Sequence, residues 1–121
     1  MEESMTKYGL SEIDEICLDA VTRAEEATAS AILLLSHQYH TARWTAKYHG
    51  KTPIFVLSDN EKLLPQVEGL TRGCRGIRVE KKMTVVEAVE AVRHAGYELD
   101  SGVVILVDDW DQKVEMHEIS I

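Results

Sequence analysis

The chain has 121 residues, a formal net charge of -8, 45% hydrophobic and 28% charged residues; this fits one packed core and excludes two ordinary domains, a disordered polar chain or a fibre. The negative charge argues against a nucleic-acid partner, because affinity for phosphate backbones comes largely from Lys and Arg displacing counterions. Cys17 and Cys74 lack C-x-x-C or Cys/His ligand spacing, no opening segment reads as a signal peptide, and the apolar runs fall short of the ~20 residues that span a bilayer, so reduced thiols, a cytoplasmic location and no membrane role are expected.

Residues 1–10 have mixed polarity and no period and are expected to be a leader, with the domain occupying 11–121. From Ser11, the residues Ile13, Ile16, Cys17, Ala20, Val21, Ala24 and Ala27 recur at helical spacing, with Asp14, Glu15, Asp19 and Arg23 between them. Ser11 is placed to cap this helix, and Asp14 supplies negative charge at its positive end. Three short apolar runs follow, Ala31–Leu35, Pro53–Leu57 and Val103–Val107. Strands apolar on both faces are those covered by helices on both sides, the parallel-sheet arrangement. Thr41–Tyr48 is long enough to be a crossover helix between the first two, which makes a βαβ unit.

Beyond the second strand, Asp59 or Asn60 can cap a short helix carrying Leu63, Leu64 and Val67, with Pro65 confined to its first turn. Gly73 and Gly76 are expected to bracket a turn into a strand over Gly76–Val79. Thr84 and Glu87 have capping-box spacing ahead of Val85, Ala88, Val89, Val92 and Ala95, and Gly96 is a helix stop. Val114–Ile121 alternates in polarity, as an edge strand does, and an antiparallel one fits. The order predicts a three-layer α/β/α sandwich with a mostly parallel sheet.

Thr41-Ala42-Arg43, then Ala46-Lys47-Tyr48 and Pro53-Ile54, resembles the TAR, SKY and P-I run of pyruvate kinase C-terminal regulatory domains. Glu15-Ile16-Cys17 and Ala20-Val21 are similar to that family's first helix, Ala29–Leu35 to its first strand, Asp59-Asn60-Glu61 to its P-N-E turn, and Arg72-Gly73 to the RG before its next strand. The similarity runs in matching order over roughly residues 11–107. It implies a five-stranded α/β sandwich with the last strand antiparallel. It also implies a non-catalytic domain that binds allosteric effectors, often sugar phosphates, and helps assemble subunits. Catalysis, with its phosphoenolpyruvate, magnesium and potassium sites, belongs in that family to a separate barrel domain that would be this domain's partner. No cofactor is implied for the domain itself.

In the family the effector loop follows the first strand as a Ser/Thr-x-Ser-Gly-x-Ser/Thr turn, where hydroxyls, amides and the helix dipole attract a phosphate. The resemblance therefore places effector contacts at Ser36, His37, Gln38, His40 and Thr41, with Trp110 contributed by the loop between the last two strands. Ser36 and Thr41 match the outer hydroxyls, whereas Gln38 replaces the inner hydroxyl and Tyr39 the glycine, whose positive φ a bulky residue does not readily adopt. The facing loop reads Asp108-Asp109-Trp110-Asp111-Gln112-Lys113. Its three carboxylates repel a sugar bisphosphate.

Other features read either as chemistry or as ordinary surface. His37 and His40 read as an anion contact when protonated or, in preference, as ordinary loop histidines, and a metal site of His37, His40 and His49 is disfavoured because no carboxylate or thiol has fitting ligand spacing. The Asp108, Asp109 and Asp111 cluster reads as a cation site or a solvated turn. Trp110 reads as a stacking platform or as packing on its own domain. Arg72, Arg75, Arg78, Lys81 and Lys82 read as an anion patch or a solvated face, and Cys74, beside two arginines, as a thiol of lowered pKa without an accompanying base.

Two functions fit. The first is a regulatory and oligomerisation domain of a pyruvate kinase or a free-standing relative, dimeric through the edge strand Val114–Ile121. The second is a stand-alone small-molecule-binding module using the strand ends near Ser36, Ser58 and Asp108.

Overall fold

The computed structural model describes residues 10–37, 39–48, 52–70, 74–99, 102–111 and 114–120. Its elements in chain order are α1 (Leu10–Glu26), β1 (Ala31–Leu35), α2 (Tyr39–Tyr48), β2 (Ile54–Ser58), α3 (Leu63–Leu70), β3 (Cys74–Arg78), α4 (Val85–His94), β4 (Val103–Asp108) and β5 (Glu115–Ser120). They build the expected three-layer α/β/α sandwich on a five-stranded sheet ordered β3-β2-β1-β4-β5. All neighbouring strands pair in parallel except β4 and β5, which are antiparallel.

Successive side chains of a strand leave on opposite faces, so an unbroken apolar run serves two cores. Ile32 and Leu34 of β1 join Ala20, Ala42, Ile54, Val67 and Ile105 under α1, α2 and α3. Leu33 and Leu35 join Leu57, Val89, Val92 and Leu106 under α4. β1 is completely buried because it is the central strand with helices over both faces.

Both caps of α4 are as expected. Thr84 Oγ1 accepts from the Glu87 amide at 3.3 Å, Glu87 Oε1 accepts from the Thr84 amide at 3.0 Å, and Gly96 takes φ +99°. Pro65 lies in the first turn of α3, and Asn60 Oδ1 accepts the Lys62 amide at 3.1 Å in the turn before it.

Four expectations need adjustment. α1 already includes Leu10, which puts Ser11 within the first turn rather than at the cap; the rest of the expected leader lies outside the described residues. α2 begins at Tyr39, two positions before the expected start, so Tyr39 and His40 are helical instead of loop. β3 starts at Cys74, and Gly76 sits inside it. The glycine is required there by close approach, since a Cβ would stand 3.0 Å from Leu64 Cδ2 of α3. Finally, β5 sends Met116 to the α1–α3 core and Ile119 to the α4 core, so its apolar residues serve both faces. Among the described residues no helix is long and apolar enough to cross a membrane.

Candidate functional site at the reversal of strand order

The chain steps outward from β1 to β2 and β3, then returns to place β4 on the other side of β1. The connection leaving β1 passes into α2, whereas the one leaving β4 turns back within the sheet into β5, and the strand C-termini at such a reversal are where open α/β sheets take ligands. Leu35 is in register with both Leu57 and Asp108. The ladder runs one residue further, with the Ser36 amide donating to Leu57 O at 3.3 Å and the Asp109 amide to Leu35 O at 3.1 Å. These bonds bring the β1–α2 turn and the β4–β5 turn together.

Thr41, in the first turn of α2, donates its hydroxyl to Asp109 Oδ2, and both residues are buried. Asp109 Oδ1 is also buried and has no hydrogen-bond partner among the described residues. Burial raises the Asp109 pKa above the ordinary carboxylate value; the Thr41 and Ser36 hydroxyls oppose this, Asp108 adds to it, and His37 opposes it. Above this pair the His37 and Trp110 rings meet with centroids 4.1 Å apart, tilted by 50°. His37 Nδ1 lies 2.7 Å from Asp59 Oδ1, and Asn60 Nδ2 donates to His37 O at 3.2 Å. The turn after β2 therefore braces the turn after β1.

The three carboxylates of the β4–β5 turn diverge. Asp109 faces α2, while Asp108 and Asp111 receive Lys82 Nζ at 3.2 and 2.9 Å from the opposite side of the sheet. The hydrogen bond to Asp111, then that to Asp108, raises the Lys82 pKa. Asp108 also accepts the Trp110 amide at 3.0 Å, closing a tight turn. Beside the Lys82 strap lies a depression of about 440 Å³, whose lining includes Met83, Val85, Leu106 and His117. Among the described residues no cluster of His, Cys, Asp and Glu has the arrangement of a metal site.

Over residues 14–118 the sequence matches the family model described as "Pyruvate kinase, alpha/beta domain". The chain belongs to the pyruvate kinase α/β-domain family. It is also similar to a pyruvate kinase of Agaricus bisporus, 39% identical over 61 residues. That stretch covers 50% of this chain and 11% of the relative, so the chain corresponds to a small part of that relative's length.

Within this pyruvate kinase α/β domain, Ser36, His37, Thr41 and Trp110 gather at one end of the sheet. The His40 backbone lies in the first turn of α2, and Gln38 and His49 lie outside the described residues. Trp110 packs on His37 of its own domain. Cys74 is a correction: its pKa rises to about 11, because burial outweighs the opposing charge of Arg75. The basic run also fails to form one face, since Arg78 pairs with Glu61 at 3.4 Å while Lys82 crosses to the β4 end. Sequence reading missed Asp59, Asn60 and Lys82 as bracing residues. Asp59 and Asn60 stand directly after an apolar strand, a position that signals the ligand end of such a sheet, whereas Lys82 had no local signal.

Proposed function

We propose that this chain is the regulatory and subunit-association domain of a pyruvate kinase, or a free-standing relative, acting by binding and not by catalysis. One observation carries the reading: the turn that meets Thr41 and His37 is the turn that leads into the edge strand β5. A small molecule lodged against Ser36, His37, Thr41 and Trp110 presses on the same hairpin that presents β5. An edge strand offers unpaired amides and carbonyls, and a second copy related by a twofold axis satisfies them reciprocally. In a longer protein the catalytic barrel is the third partner, and its glycolytic phosphotransfer takes place outside these 121 residues.

Light scattering after size exclusion tests the association. A dimer is expected, and a clean monomer at high protein concentration counts against it. A second reading, a stand-alone small-molecule module, draws support from the depression beside Lys82 at the same strand ends. A thermal-shift screen separates the two, because a ligand at a hundred times its Kd stabilises by about 2.7 kcal/mol. If dimer formation and ligand binding are uncoupled, the stand-alone reading is favoured.

A further inference from the structure

We propose that Asp109 occupies the anion position at the start of α2, so that the turn carries its own carboxylate as an internal ligand and is closed to phosphorylated molecules. The inference rests on reading these turns as an effector site, and it specifies the class of molecule that site refuses.

Three observations converge. First, α2 has ten residues and no acidic residue in its first turn, although the N-terminus of a helix favours negative charge. The charge that reaches this end comes from Asp109, far away in sequence, through the Thr41 hydroxyl. Second, Asp109 is only 3% exposed, and its Oδ1 has no hydrogen-bond partner among the described residues. An unpaired buried carboxylate oxygen costs free energy, and the Thr41 hydroxyl holds the carboxylate at the helix start against that cost. Third, two basic side chains of these turns are engaged elsewhere: Lys82 holds Asp108 and Asp111, and His37 Nδ1 faces Asp59. Asp109 is thus the carboxylate of its turn held by a hydroxyl at the helix start. A phosphate entering there meets a like charge in the place it would fill.

Isothermal titration with inorganic phosphate and with a hexose bisphosphate tests this on the full chain. The wild type is expected to bind neither. Asp109→Ser, which removes the charge and opens space, is expected to gain the bisphosphate by about a hundredfold or more, the scale of a relieved like-charge contact. Asp109→Asn keeps the shape while removing the charge, so it reports the same gain if Asp109→Ser does not fold. Adding Thr41→Val to either variant is expected to abolish the gain. Wild-type binding that Asp109→Asn leaves unchanged and Trp110→Ala abolishes overturns the inference while the effector-site reading stands. Wild-type binding untouched by both Thr41→Val and Trp110→Ala overturns both. If neither Asp109 variant gains binding, the inference fails.

Discussion

Replacing Gly76 with alanine tests how tightly α3 is set on the sheet. A methyl at this position stands 3.0 Å from Leu64 Cδ2, 3.1 Å from Leu64 Cβ and 3.2 Å from Leu64 O. All three distances lie below the ~3.5–4.0 Å of comfortable carbon contact. The Cδ2 atom can rotate away, but Cβ and the carbonyl oxygen move only if α3 moves, and α3 is anchored by buried Leu63 and Val67. The Gly76 amide also donates to Glu68 Oε2 at 2.9 Å, a bond that a shifted helix lengthens. Overpacking of this kind costs about 1–3 kcal/mol, and replacing a glycine inside a strand returns roughly 0.5–1 kcal/mol of backbone entropy. The expected net effect is destabilisation by about 0.5–2 kcal/mol. Urea unfolding should show a lower midpoint at an unchanged slope. Leu64→Ala in the same chain removes the Cδ2 contact, so the double variant should lose less than the sum of the single losses. A Gly76→Ala protein as stable as the wild type would refute the reasoning, because it would mean that α3 yields without cost.

Thr84→Ala removes the capping box of α4 and should lower stability by about 1 kcal/mol, whereas Thr84→Ser should retain most of it; thermal unfolding of the two variants checks this. Asp109 has a folded pKa above the ordinary carboxylate value near 3.9, so the folded state binds its proton more tightly than the unfolded chain does. The sign follows: ionisation of Asp109 costs stability at neutral pH, and the cost is relieved as pH falls through the folded value toward the ordinary one. Urea midpoints across that range should show the wild type gaining on Asp109→Asn as pH falls, and a flat or opposite trend would contradict the assignment. Cys17 and Cys74 are both buried, and burial lifts the Cys74 pKa to about 11. Neither thiol should react with a disulfide reagent faster than the chain opens, and a fast native phase would show one of them to be accessible.

The layers of the fold were legible because the determining signals are local. Ile32-Leu33-Leu34-Leu35 can be apolar at every position only if helices cover both faces of β1, and the clusters under α1–α3 and under α4 divide these residues alternately. The spacing of Thr84 and Glu87 likewise needs only one helical turn. Gly76 was misread because a turn and a close approach demand the same residue, and the position of Leu64 distinguishes them only in three dimensions. The site was legible by address and not by wiring. Ser36, Thr41 and Trp110 could be placed at the strand ends, but the fact that Asp109 turns to Thr41 while Asp108 and Asp111 turn to Lys82 depends on the faces chosen by successive residues beyond β4. A run of three acids in sequence therefore looks like one repulsive patch, although the fold divides it between two sides of a sheet.

That division gives the β4–β5 hairpin its mechanical role. Asp108 is in register with Glu115 at the start of β5, so the last ladder pair of the hairpin adjoins the residues that contact Thr41 of α2 and Lys82 ahead of α4. Lys82 grips the turn from the α4 side, Thr41 from the α2 side, and His37 supports Trp110 above. On the proposed function, releasing Asp109 from Thr41 is expected to shift the turn against the Lys82 strap, and β5 is joined to that turn through the antiparallel ladder. Among the described residues the other edge of the sheet, β3, shows no equivalent: it is two strands away from β1, and its Arg78 is tied to Glu61 in the turn before α3. Of the two edges, β5 is the one joined directly to the turn that contacts Thr41 and His37. An association surface that is to be regulated belongs there, and Lys82→Ala should loosen the hairpin's response without touching the core.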